Sequence, residues 1–181
     1  SLRYLVSDDY DYYDYDPATG KYKVDVNSLK YDFSGLDELV KYMTDYDILP
    51  YMSWDYIPYP LQENGVWNNL DTNIENWQQV WEEVYYQYVK YYKENNVKIG
   101  YHEVYNEPDL EILKCWGVFE ESLQGFLNWE DFCNGMDCTP GEGVYPDMYE
   151  YAVNGILRAD PDATIGGPAF ALGELGVESW V

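Results

Sequence analysis

Between Trp77 and Asn95 the side chains Trp77, Val80, Trp81, Val84, Tyr85, Tyr88, Val89 and Tyr92 recur at steps of three and four residues. This is the spacing of one helical face, sustained for roughly five turns. A stripe carrying that much aromatic surface has to be buried, so whatever else the chain forms must cover it. With 181 residues, the chain is long enough for one domain with a real core and reads as a single unit, 1–181.

The flanking segments supply candidates for that cover. A short apolar run, Leu2 to Val6, reads as a strand, and a polar, Tyr- and Asp-rich loop follows from Ser7 to about Ser34, with Pro17 and Gly20 suited to turns. Ser34 is placed to cap a helix in which Asp37 and Glu38 fall in the first turn and Leu36, Leu39, Val40 and Met43 mark one face. Ile48 to Trp54 is a compact apolar run and strand-like, with Pro50 near its start. After the long helix, Val97 to Tyr105 reads as a strand that ends directly on Asn106-Glu107-Pro108. Asp109 to about Tyr145 reads as an elaborated loop holding the turn signals Asn134-Gly135 and Pro140-Gly141. A helix from Pro146 to Leu157 then precedes Asp160-Pro161-Asp162 and a strand from Ala163 to Ala169.

Strand, helix, strand, helix, strand, helix, strand is the order of parallel strands with covering helices. A doubly wound sheet would carry a glycine-rich phosphate loop after its first strand, and the sequence has none. A (β/α)8 barrel needs eight such units in roughly 250 residues, so this chain would supply about half of one.

Charge narrows the partners. Ten Lys and Arg stand against 34 Asp and Glu, a formal net charge of -24, which repels nucleic acid and anionic membrane surfaces. Such acidity with few aromatics would suggest disorder, but 19% of the residues are Phe, Trp or Tyr, enough for a packed interior. No apolar run reaches the length of a membrane span. Cys115, Cys133 and Cys138 allow one disulfide with a spare thiol or three free thiols, which leaves the redox compartment open. A zinc site would lack a fourth ligand, since the only histidine, His102, falls in a predicted strand away from the cysteines. No metal and no cofactor is expected.

Barrel active sites lie where strands end and the following loops begin, and Glu107 stands at such a point. A carboxylic acid there, walled by aromatic side chains, can keep its proton near neutral pH and donate it to a leaving oxygen. Pro108 fixes the chain as it leaves the strand and biases Glu107 towards an extended conformation. Taken alone, Asn-Glu-Pro reads first as an ordinary turn.

The wider context resembles a known family. Tyr101-His102-Glu103-Val104-Tyr105-Asn106-Glu107-Pro108-Asp109-Leu110 resembles the end of the fourth strand in the glycoside hydrolase clan with the 4/7 barrel (clan A), above all glycoside hydrolase family 39, the β-xylosidase and α-L-iduronidase family. Leu2-Arg3-Tyr4 resembles that family's second strand, Tyr31 to Asp37 and then Ile48 to Tyr51 its second helix leading into the third strand, and Ala163 to Ala169 its fifth strand. The resemblance implies a TIM-barrel glycosidase, of which the chain covers about strands 2 to 5. It also implies retaining hydrolysis of O-glycosidic bonds in plant-type polysaccharide or oligosaccharide, with Glu107 as general acid/base.

Site assignments follow from the same resemblance. Asn106 suits a sugar hydroxyl. Arg3 matches the clan's second-strand arginine near the nucleophile, the other reading being an interior ion pair with Glu103. Trp54, Tyr56 and Trp116 are candidates for stacking on pyranose faces, with core packing as the alternative for each. Tyr105, a further candidate for substrate binding, stands where the family often has Trp, and Leu5 follows Tyr4 where the family commonly has a sugar-contacting His; these departures leave the sugar unassigned. The family's nucleophile is a glutamate at the end of the seventh strand. Glu174 and Glu178 match no family motif and read as a solvated helix face, so residues 1–181 alone are expected to be inactive.

Two readings stand at this point. One is part of a β-xylosidase-like barrel whose remaining half lies on other residues. The other is a non-catalytic half-barrel module that binds carbohydrate or self-associates through its open sheet edges. The expected location is extracellular or secreted, with the cytoplasm as the alternative.

Overall fold

The computed structural model describes residues 13–54, 57–62, 70–71, 73–105 and 144–167, the side chains of 144–146 excepted. The expected strand at Leu2 to Val6, the three cysteines and the residues after Gly167 lie outside the described residues.

The long amphipathic stretch forms α2, Trp77–Glu94, and every residue of its apolar stripe is buried. α3, Val144–Ala159, lies against it and buries Met148, Ala152 and Ile156. Close approach of the two helices depends on Gly155, where a Cβ would lie 2.2 Å from the Glu82 carbonyl oxygen. The Trp81 indole N–H donates to the Met148 carbonyl at 2.8 Å, which pairs the one polar atom of a ring that is 0% exposed. At the rim Arg158 of α3 pairs with Glu82 and Glu83, and its guanidinium lies 3.9 Å from the centre of the Tyr86 ring.

α1, Ser34–Asp45, starts where the sequence suggests but is capped differently. Ser34 is its first residue, no side chain caps the helix, and the Asp32 carboxylate accepts the Ser34 N–H at 2.9 Å. An Asp two residues ahead reaches this donor through an Asx turn, which leaves the Ser no capping role. The Ser34 hydroxyl, then the Ser34 amide, hold the Asp32 carboxyl below its usual range. Phe33 stacks on Tyr91 of α2 at 3.8 Å between centroids, and the Tyr91 hydroxyl donates to Asp37 at 2.7 Å, fastening α1 to the long helix.

The segment read as a polar loop is in part an antiparallel hairpin, β1 Tyr13–Asp16 and β2 Lys21–Val24. The sequence reads as a loop here because the alternation of Tyr13, Tyr15, Tyr22 and Val24 with Asp and Lys lasts only four residues in each strand. Its register sets Tyr13 against Val24 and Tyr15 against Tyr22 on one face, with Val24 in the core, and Asp14 against Lys23 and Asp16 against Lys21 on the other, and such aromatic and opposite-charge cross-strand pairs stabilise a ladder. The turn is closed by Asp16, which accepts from the Ala18 N–H and the Thr19 hydroxyl, and by Gly20 at φ 71°. The hairpin is tied to the start of α2, where the Asn76 amide both accepts from Val24 N–H and donates to Val24 C=O.

The remaining strands, β3 Tyr51–Ser53, β4 Tyr101–Glu103 and β5 Ile165–Gly166, form one sheet in that order with both pairings parallel. This is the adjacency expected from the strand-helix-strand order, although each strand is shorter than its apolar run. Met52, His102 and Ile165 share one face and pack on the helix layer, where His102 lies edge-on to Tyr88. Tyr51, Tyr101, Ser53 and Glu103 alternate onto the other face.

His102 is 2% exposed, and burial pushes its imidazole down from 6.5 to about 4, opposed by the Asp160 carboxylate. The unfolded chain therefore takes up this proton first. The associated stability is complete above pH 6.5 and is lost as the pH falls towards 4, roughly 3 kcal/mol in all. Urea unfolding at pH 7.5 and 4.5 should show wild type losing about 2.5 kcal/mol more than His102→Gln, whose side chain does not titrate. Equal losses would show that His102 is not a buried neutral group.

Candidate functional site

Ser53, Glu103 and Gly166 are the last residues of the three parallel strands. In sheets of this kind ligands meet the protein beyond the carboxyl ends of the strands. The candidate site is therefore this edge, on the face turned away from α2.

Glycines shape it. The Tyr101 ring stacks on Tyr51 at 4.9 Å and 10°, and its hydroxyl reaches under β5, where a Cβ on Gly166 would lie 1.6 Å from that oxygen. Gly167, at φ 103°, leaves room for Glu103, whose Cγ would be 2.9 Å from a Cβ there. Glu103 is buried and accepts a hydrogen bond from the Tyr51 hydroxyl. Loss of hydration, then the Glu103 carboxylate, hold the Tyr51 phenol above its ordinary range.

The chain then leaves the strand abruptly. Val104 still donates its N–H to the Gly166 carbonyl at 3.1 Å, but Tyr105 has φ 62° and is fully buried. A left-handed backbone at a bulky residue costs energy and is sustained only by surrounding structure. The residue that follows is Asn106, the first of the Asn106-Glu107-Pro108 stretch.

Of the residues singled out from sequence, Tyr105 and Trp54 are described, and both are core residues in this structure. Trp54 meets Tyr85 and Tyr88 edge-on at 5.6 and 4.0 Å. It lies on the helix side of the sheet, which fits the packing alternative set against sugar stacking. Asn106, Glu107, Trp116, Tyr56 and Arg3 lie outside the described residues. Glu103 was named in the sequence only as a partner for Arg3. The signal for its place was present in the strand period, which puts residues 101 and 103 on one face opposite 51 and 53. Among the described residues, no group of three or more His, Cys, Asp or Glu is arranged to hold a metal ion, and no helix is long and apolar enough to cross a membrane.

Comparison with known proteins gives one distant, partial likeness to a glycosidase. A protein named beta-xylosidase from Caldicellulosiruptor saccharolyticus is 22% identical over 167 residues, covering 88% of this chain. The chain spans 28% of that relative's length. No family model matches the chain.

The fit of Tyr101 under Gly166 gives a direct test. Gly166→Ala should cost about 1–3 kcal/mol in urea unfolding, as overpacking of a filled space does, and far less in a Tyr101→Ala background, where the opposing ring is gone. Equal costs in the two backgrounds would mean that the two positions do not touch.

Proposed function

We propose that residues 1–181 form part of a (β/α)8-barrel glycoside hydrolase of the β-xylosidase type, in which Glu107 is the general acid/base. The observation that carries this reading is the parallel order β3-β4-β5, with Asn106-Glu107-Pro108 beginning three residues beyond the end of its middle strand. The partial likeness to a beta-xylosidase supports the same class of chemistry. In a closed barrel both edges of the sheet would be covered, the β5 edge by later units and the β3 edge by the unit before it. There Leu39, Tyr42 and Tyr46 of the α1 region and Ile48, Leu49 and Tyr51 at β3 are exposed apolar side chains, surface that a neighbouring unit would cover.

In this reading hydrolysis retains configuration. Glu107 protonates the glycosidic oxygen as a second carboxylate, about 5–5.5 Å away, attacks the anomeric carbon; Glu107 then takes a proton from the water that releases the sugar. The nucleophile belongs to a later strand outside residues 1–181, and Asn106 meets a sugar hydroxyl. The substrate class is a β-xyloside of plant-type polysaccharide.

The test uses the longest natural polypeptide that carries these residues. Glu107→Ala should slow xylo-oligosaccharides about 10²- to 10⁴-fold and a nitrophenyl xyloside far less, because a sugar alkoxide needs a proton to depart and a nitrophenolate does not. Azide should restore turnover of the nitrophenyl substrate and yield the β-azide product. Equal losses on both substrates would assign Glu107 a structural role, and an α-azide would make it the nucleophile.

A further inference from the structure

One face of the β1-β2 hairpin is free of Asp, Glu, Lys and Arg and only half covered. Tyr13, Tyr15, Tyr22 and Val24 lie on it, while Asp14, Asp16, Lys21 and Lys23 take the other. The tyrosine face runs out of the core along its length. Val24 is buried and Tyr13 packs against the core, its hydroxyl donating to the Pro60 carbonyl at 2.9 Å. Nearer the turn, Tyr22 and Tyr15 are 45% and 51% exposed. Their rings lie 5.0 Å apart and tilted by 46°, and Tyr13 meets Tyr22 edge-on at 6.1 Å. The backbone beneath them is fixed: the Tyr22 carbonyl accepts from the Glu75 N–H at 2.8 Å, and the Asn76 amide holds both polar groups of Val24. Two supported tyrosines offer aromatic surface that loses little entropy on binding.

The same anchors place the hairpin beyond the carboxyl edge of the β3-β4-β5 sheet. α2 carries the chain from the end of β3 back to the start of β4, so its first residues lie at the carboxyl end of the parallel strands. Trp54, one residue past β3, meets the helix at Tyr85 and Tyr88. From Tyr85 back to Asn76 the helix extends about 13 Å past that level. The hairpin is fastened to the far end of this overhang, on the side of the sheet that α2 covers. It forms a rim above the edge where the proposed reaction takes place, and a chain leaving that edge on the α2 side passes over it.

We infer that Tyr15 and Tyr22 form an accessory binding surface for a neutral glycan chain, holding sugar units remote from the bond that is cleaved. The inference rests on the reading that a glycoside is cleaved at this edge. A pyranose ring presents C–H groups on its faces, and these meet the negative face of an aromatic ring favourably. With a formal net charge of -24 the protein repels an anionic ligand, whereas uncharged sugar units approach it freely. Binding energy from remote units raises kcat/KM for substrates long enough to reach them and does nothing for short ones. No covalent bond changes at the hairpin.

The experiment compares kcat/KM for a long xylo-oligosaccharide with that for nitrophenyl xyloside, in the longest natural polypeptide carrying residues 1–181. The variants are Tyr15→Ile, Tyr22→Ile, the double substitution and Tyr22→Phe. Isoleucine keeps a strand-forming apolar side chain and removes the ring. The ratio of the two values is read on one preparation, so it does not depend on the fraction of protein that is folded. It should fall about three- to tenfold for each ring removed, and Tyr22→Phe, which keeps the ring, should recover most of the loss. An unchanged ratio in the double variant, with both substrates still turned over, would overturn the inference and leave the proposed function standing. If sedimentation then shows dissociation at the same substitutions, the tyrosine face belongs to a second copy of the chain. Equal falls in Tyr22→Phe and Tyr22→Ile would also overturn it, since the ring would not be the cause. No turnover of either substrate by wild type would remove both the inference and the reading beneath it.

Discussion

Burial of the aromatic stripe on α2 is the constraint from which the rest follows. Each large ring takes about 150–250 Å² out of water, worth several kcal/mol at roughly 25 cal/mol per Å². The exposed ion pairs of Arg158 at the helix rim contribute about 0–1 kcal/mol apiece. The stripe therefore decides where the other elements go. α3 covers one side through Gly155 and Met148, Phe33 brings α1 to Tyr91, and Trp54 and His102 fill the space between α2 and the sheet.

Once the helices take one face of the sheet, strand alternation fixes the other. Tyr51, Ser53, Tyr101 and Glu103 have nowhere to go but the face away from α2. The sheet's polar chemistry is thereby separated from its apolar packing, with His102 as the polar exception on the helix side. That histidine is held neutral by its surroundings, whereas Glu103 keeps a donor in the Tyr51 hydroxyl. The glycines of β5 and its exit are the complement of this arrangement, because Tyr101 and Glu103 occupy the volume that side chains at Gly166 and Gly167 would need.

Legibility in the sequence tracked the strength of periodic signals. α2 was readable nearly to the residue because its stripe persists for many turns, and the parallel order of β3, β4 and β5 followed from the helices between them. The hairpin at Tyr13–Val24 was not readable, because its alternating face of Tyr13, Tyr15, Tyr22 and Val24 spans only four residues in each strand and is carried mostly by tyrosines within an Asp-rich stretch. Ser34 was misread as a cap because Asp32, two residues earlier, satisfies the same donor. At the site, Asn106-Glu107-Pro108 drew attention by composition and resemblance, and those residues lie outside the described chain. Glu103 was legible only as a partner for Arg3; the strand period puts it on the face of Tyr101, but the neighbours it meets there, Tyr51 and Gly167, come from other strands. The left-handed turn at Tyr105 has no sequence signature at all, since tyrosine is among the residues least suited to it.

In the proposed function a glycoside is cleaved at the carboxyl edge of the β3-β4-β5 sheet, on the Tyr51 and Glu103 side. The most direct test is a crystal structure of the longest natural polypeptide containing residues 1–181, made inactive by Glu107→Gln and soaked with a xylo-oligosaccharide. The expected result is a closed barrel with the sugar at that edge and the substituted amide at position 107 about 3 Å from a glycosidic oxygen. An open sheet, or a sugar bound elsewhere with position 107 far from any glycosidic oxygen, would contradict it.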